Sequence, residues 1–159
     1  MRTNYKVFPA AQVVPESVLA PLDLLQIFGR HAPLEVDLGC GDGTFLVALA
    51  EQNPTRDFLG IERLPGRVRG TGRKIGQLAL TNTRIVAGDI MPGLQQLLQP
   101  ASVDVFHLLF PDPWPKRGHQ NRRVVAPEFL RAIARALKPE GELRLATDQS
   151  DYFRIMEKL

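Results

Sequence analysis

A glycine-rich turn, Asp37-Leu38-Gly39-Cys40-Gly41-Asp42-Gly43, joins a short apolar run, Leu34–Leu38, to a helical pattern over Thr44–Gln52. Alternating glycines let the backbone bend sharply and let a ligand come close. The helix that follows offers free N–H groups at its start. A dinucleotide turn reads G-x-G-x-x-G and seats a pyrophosphate on that helix. Here the last glycine falls one residue early, position 44 is Thr, and an acid, Asp37, stands just ahead of the turn. A carboxylate there repels a pyrophosphate but accepts hydrogen bonds from an amino group. S-adenosylmethionine (SAM) has an amino group and no phosphate, so the turn points to SAM.

Short apolar runs and helical patterns alternate after the turn. Strands are expected at Leu34–Leu38, Asp57–Ile61, Thr83–Ala87, Val103–Phe110 and Glu142–Thr147. Helices are expected at Thr44–Gln52, Pro65–Leu80, Met91–Leu98, Pro127–Leu137 and from Asp151 onward. Such alternation predicts an α/β fold: a Rossmann-like parallel sheet with helices on both faces. The helix at Pro65–Leu80 holds Gly66, Gly70, Gly72 and Gly76, each costing about 1 kcal/mol relative to Ala. Ahead of this domain (34–159), residues 1–33 read as an arm and a helix, with Ser17 as its cap and Gly29 as its stop.

Two further acids close expected strands. Glu62 ends Gly60-Ile61-Glu62, about twenty residues past the turn, where an acid suits a ribose diol. Asp89 ends Gly88-Asp89 and can accept a bond from an adenine amino group. The bland alternative is that strand-end acids merely cap helices. Three of them at successive strand ends, beside this turn, favour a ligand, because ligands in such sheets sit at the carboxyl ends of strands.

The fourth strand runs into Pro111-Asp112-Pro113-Trp114-Pro115. Proline fixes its own φ and biases its predecessor to extended backbone, so Asp112 and Trp114 ride on a stiff segment. Trp114 offers a face on which a base can stack. Lys116, Arg117, His119, Arg122 and Arg123 follow with no acid among them. A second acid-free group is Arg63, Arg67, Arg69, Arg73 and Lys74. A solvated basic face is the usual explanation of one run; two, one of them attached to the Asp112 loop, favour phosphate contacts and a nucleic-acid partner.

Taken together, Asp-x-Gly-x-Gly-x-Gly, Gly-Ile-Glu, Gly-Asp, Phe110-Pro-Asp-Pro-Trp-Pro-Lys116, His119, Arg122-Arg123 and Ala146-Thr147-Asp148 resemble the tRNA (guanine-N7-)-methyltransferase family, over roughly residues 34 to 152. The resemblance implies a class I SAM-dependent fold and methyl transfer to N7 of a guanosine in the tRNA variable loop. It implies that Asp37, Gly39, Gly41, Gly43, Glu62, Asp89 and Asp112 line the SAM site and that Asp112 is the active-site acid. It also implies that Lys116 and Asp148 contact the substrate, beside Trp114, Arg117, His119, Arg122 and Arg123. The chain departs from the family at Gly118 and Asn121, where Arg and Lys are expected. Enzymes of this class have seven strands, the last antiparallel, and five are expected here. The last two strands are thus expected to be lacking, the domain to be C-terminally incomplete, and the fifth strand to be an open edge that self-association or a partner covers.

Composition bounds the rest. The 159 residues suffice for one domain with a real core. The single cysteine, Cys40, excludes an intramolecular disulfide, and no stretch of about 20 apolar residues is present. A soluble cytoplasmic protein with no metal is the expectation. Guanine N7 carries a lone pair and no proton, so the transfer requires no obligatory base, only in-line positioning and a carboxylate, Asp112, to steady the charge. The competing expectations are an adenine or cytosine amino-methyltransferase, a non-catalytic SAM- or RNA-binding module and, last, a small-molecule methyltransferase.

Overall fold

A computed structural model describes residues 6–8, 11–14, 20–114 and 123–158. One seven-stranded sheet organises them. In chain order the strands are β1 (Lys6–Phe8), β2 (Gln12–Val14), β3 (Leu34–Leu38), β4 (Asp57–Glu62), β5 (Thr83–Ala87), β6 (Val103–Leu109) and β7 (Leu137–Ala146). Their spatial order is β1-β2-β5-β4-β3-β6-β7, with every pair parallel except β1 and β2. The order reverses between β3 and β6, and at such a switch point a crevice opens beyond the carboxyl ends of the strands.

Helices cover both faces. On one, α2 (Thr44–Gln52) and α3 (Pro65–Gln77) bury Leu46, Ala50, Val68 and Ile75 against Phe58 and Ile85. On the other, Ile27 of α1 (Leu24–Phe28), Phe129 and Ile133 of α5 (Pro127–Ala136) and Tyr152 of α6 (Ser150–Met156) pack on Val36, Leu38 and Phe106. Central β3 is buried throughout, and alternation sends Leu34, Val36 and Leu38 into this second layer. Glu35 and Asp37 therefore face α2. There Glu35 binds His107 at 2.6 Å and Arg56 at 2.6 Å, and the His107 ring meets Phe45 edge-on.

The expected strands and helices all form, with four differences. The first is at the amino end, where β1 and β2 pair antiparallel and β2 adds to the free edge of β5, widening the sheet. Short strands beside Pro9 and Pro15 show too little period to be read locally. The second concerns the first helix, which starts at Leu24 because Asp23 accepts a bond from the Gln26 N–H at 3.0 Å; Ser17 lies outside the described residues. The Gly29 stop is present, in the left-handed region at φ 73°. The third is the expected helix over Met91–Leu98, which is a short turn, α4 (Ile90–Pro92), widened into a π-helical turn at Gly93–Leu97. Gly93 lies against Ile61, where an added Cβ would approach Cδ1 at 3.0 Å, so close packing on the sheet shapes this segment. The last strand begins five residues early, at Leu137, across an irregular register between Val103 and Val105. As expected, it lies at the sheet edge, half-exposed along its length. Among the described residues no helix is long and apolar enough to cross a membrane.

The glycines of α3 divide by position. Gly72 sits on Ile85, whereas Gly66, Gly70 and Gly76 face open space. Pro at the first helical position and the buried face Val68, Thr71, Gly72 and Ile75 hold the helix despite them. Gly70→Ala is expected to raise stability by about 0.5–1 kcal/mol in urea denaturation. Gly60→Ala is expected to lower it, because the new Cβ would meet Cys40 Sγ and Leu46 Cδ2, both at 2.7 Å.

Candidate functional site

A cleft of about 760 Å³ opens at the switch point. Gly39 enters it from the end of β3, Glu62 from β4, Asp89 from β5, and Asp112 and Trp114 from β6. Four loops from four parallel strands thus converge because the strands end level with one another.

The glycine turn is left-handed at each glycine, with φ of 74° at Gly39, 59° at Gly41 and 74° at Gly43. A side chain at Gly43 would strike Thr71 of α3 at 2.3 Å, so the turn is locked between two helices. The Glu62 carboxylate fixes it from the side, accepting the Gly41 N–H at 3.0 Å and the Leu64 N–H at 2.8 Å. A carboxylate has acceptor capacity beyond two bonds, and Glu62 also lines the cleft. Asp89 stands at the start of α4 but makes no capping bond, which sets aside the capping explanation for this acid. Asp42 is spent locally: it accepts bonds from Thr44 and Lys74, and these, the Thr44 bonds foremost, pull its carboxyl down to about 2.

Asp37 does not line the cleft. It lies buried beneath it, 4% exposed, and burial, reinforced by the nearby Glu62 carboxylate, pushes its pKa up to about 7. Burial, with Asp37 and Glu62 close by, likewise drives the Cys40 thiol far above its ordinary range, so Cys40 is a packing residue.

The Pro-Asp-Pro segment is framed by two non-glycine residues with positive φ, Phe110 at 51° and Trp114 at 42°. The Phe110 N–H donates to the Ala146 carbonyl at 2.8 Å, and Arg123 Nε donates to the Pro113 carbonyl at 2.7 Å. Asp112 is exposed and Trp114 half-buried. Asp148 is exposed, bonded by the Gln149 side chain at 3.3 Å, and is not in the cleft wall. Lys116, Arg117, His119 and Arg122 lie outside the described residues. Of the second basic group, Arg63 and Arg67 line the cleft, Arg69 and Arg73 are exposed along α3, and Lys74 is held by Asp42.

Several wall residues were not anticipated from the sequence. Ile90 and Met91 give an apolar wall next to Asp89, and Phe110 and Glu128 face the cleft from β6 and α5. Ile90 and Met91 directly follow a strand-end Gly-Asp, a signal that was available. Glu128 occupies the first turn of an amphipathic helix, where an acid is ordinary.

Residues 31–159 match the family model described as "Putative methyltransferase". The chain belongs to this family. It is 43% identical over 135 residues to the tRNA (guanine-N(7)-)-methyltransferase of Cutibacterium acnes, covering 85% of this chain and 49% of that protein. It is 44% identical over 131 residues to the enzyme of the same name from Leifsonia xyli, covering 82% and 58%. The resemblance read from the motifs therefore holds, and the chain spans about half to three-fifths of those relatives. In fold it is similar to the aminoglycoside resistance methyltransferase NpmB1, at TM-score 0.64 and 24% identity, covering 91% of this chain and 68% of that one.

The raised pKa of Asp37 has a defined sign. Folded Asp37 holds its proton up to about pH 7, whereas unfolded it releases it near 3.8. Its contribution to stability is complete below pH 3.8 and is lost as pH rises through 7. Urea melts from pH 5 to 8 are expected to show this decline, and Asp37→Asn to flatten it.

Proposed function

We propose that the chain forms the catalytic region of an enzyme that transfers a methyl group from SAM to N7 of a guanosine in tRNA, in the cytoplasm. The observation that carries this reading is the convergence of Asp112 and Trp114 on the cleft that the glycine turn, Glu62 and Asp89 already form. Family membership supports it, as do relatives named for that activity.

The wall chemistry fits SAM. Glu62, Asp89 and Asp112 line the cleft together with Arg63, Arg67 and Arg123, and Asp37 lies below them. Glu62 and Asp89 have acceptor oxygens for a ribose diol and an adenine amino group, and Ile90 and Met91 offer apolar contact. When bound, SAM supplies an electrophilic methyl on a sulfonium. Asp37, buried beneath the wall, acts on the site through its charge rather than by contact. Asp112 accepts from the N1 and N2 edge of guanine and steadies the positive charge that reaches the ring, while Trp114 stacks on the base. Removing Asp112's charge is expected to retain SAM binding, weakened less than the chemical step, and to lower single-turnover transfer at least tenfold, about 1.4 kcal/mol. Asp112→Asn with tRNA, followed by nucleoside digestion, reads both the rate and the base modified; an unchanged rate would sink the assignment, and methyladenosine or methylcytidine the substrate.

The residues assigned to the tRNA phosphates are Lys116, Arg117, His119 and Arg122, which follow the Asp112 loop in sequence, and Arg63 and Arg67 of the cleft wall; Asp148 is assigned as a substrate contact. Each Lys116→Ala or Arg67→Ala change is expected to reduce the dependence of log Kd on log salt by about one phosphate contact. Among the described residues no strand pairs with the outer edge of β7, and a further strand, from a second copy or a partner, would satisfy its backbone groups.

A further inference from the structure

The Pro-Asp-Pro loop adopts a conformation that its own residues disfavour. Phe110 and Trp114, one at each end, are both in the left-handed region, where a Cβ is crowded. Such residues persist only where their surroundings over-determine them. Three contacts do so here. At the near end, Phe110 is tied by its N–H to Ala146 of β7. At the far end, Arg123 Nε donates to the Pro113 carbonyl at 2.7 Å. The same guanidinium lies over the Tyr152 ring, 5.0 Å from its centroid. Tyr152 is wholly buried in the core, and its hydroxyl accepts the Val125 N–H at 3.3 Å, fixing the chain two residues past Arg123. A stacked guanidinium with one N–H committed to a carbonyl is oriented by the protein from two sides.

We propose that Arg123 and Tyr152 form a brace that holds the Phe110–Trp114 loop in its site-forming conformation. Arg123 is thus a positioning residue for Asp112 and Trp114 rather than a contact to the RNA backbone. The brace also couples the loop to α6, which follows the β7 end carrying Asp148. A displaced Asp112 would lose alignment with the base, so the brace affects the chemical step more than RNA affinity.

Trp114 is the only tryptophan of the chain, so its fluorescence reports the loop without cofactor or RNA. In the whole chain, Arg123→Ala and Arg123→Lys are both expected to shift Trp114 emission to the red and increase acrylamide quenching. Lys keeps the charge but has neither the planar face nor the fork. Tyr152→Leu is expected to act alike, and Arg123→Ala/Tyr152→Leu to be no worse than either single change. If Tyr152→Leu fails to fold, the two Arg123 variants, made at a half-buried position, still decide. The catalytic consequence rests on the tRNA reading above: single-turnover transfer is expected to fall about 10–100-fold in both Arg123 variants with the salt slope of tRNA binding unchanged. Unchanged emission and quenching, with Arg123→Lys retaining affinity and Arg123→Ala losing about one unit of salt slope, would overturn the brace and make Arg123 a phosphate contact. If the unaltered chain transfers no methyl group to tRNA, the functional reading fails while the fluorescence comparison still decides the brace.

Discussion

The Glu62 carboxylate is the tie on which the site depends. Its two oxygens hold N–H groups from two different strand-to-helix turns, Gly41 after β3 and Leu64 after β4. Both turns leave the carboxyl ends of two adjacent parallel strands, β3 and β4. With Glu62 buried and both bonds short, the glycine turn is held rigid against its own left-handed backbone, and the cleft inherits a fixed wall. An ionised carboxylate suits this task because charge-assisted bonds to backbone N–H are stronger than neutral ones.

That tie has an electrostatic consequence one residue layer down. Asp37, buried on the same side of the sheet, has its pKa raised to about 7 by burial first and by the Glu62 charge second. Arg63 and Arg67 line the cleft as well, and Arg69 and Arg73 continue along α3. The cleft wall thus carries acids and arginines side by side.

Much of this was legible in the sequence. The five parallel strands β3 to β7, the turn and its acids follow from apolar runs of strand length, glycine spacing and strand-end carboxylates, all local signals. The amino-terminal hairpin was not legible, because three-residue strands have no measurable period and form only where β5 presents a free edge. Likewise, the early start of β7 depends on pairing with β6, not on the Lys138-Pro139-Glu140-Gly141 stretch, which reads as a turn.

The sequence by itself determined the parallel α/β sheet, the ligand turn and the family, because hydrophobic period and a stiff proline-framed motif act over a few residues. Only the tertiary structure decided what each charged group does. It buried Asp37 under the cleft and left Asp89 uncapped, and it placed Asp148 outside the wall. It also turned Arg123 inward onto Pro113 and Tyr152. The reason is physical: a carboxylate or guanidinium takes its role from burial and from partners that folding brings across tens of residues, and neither is written in its neighbours along the chain.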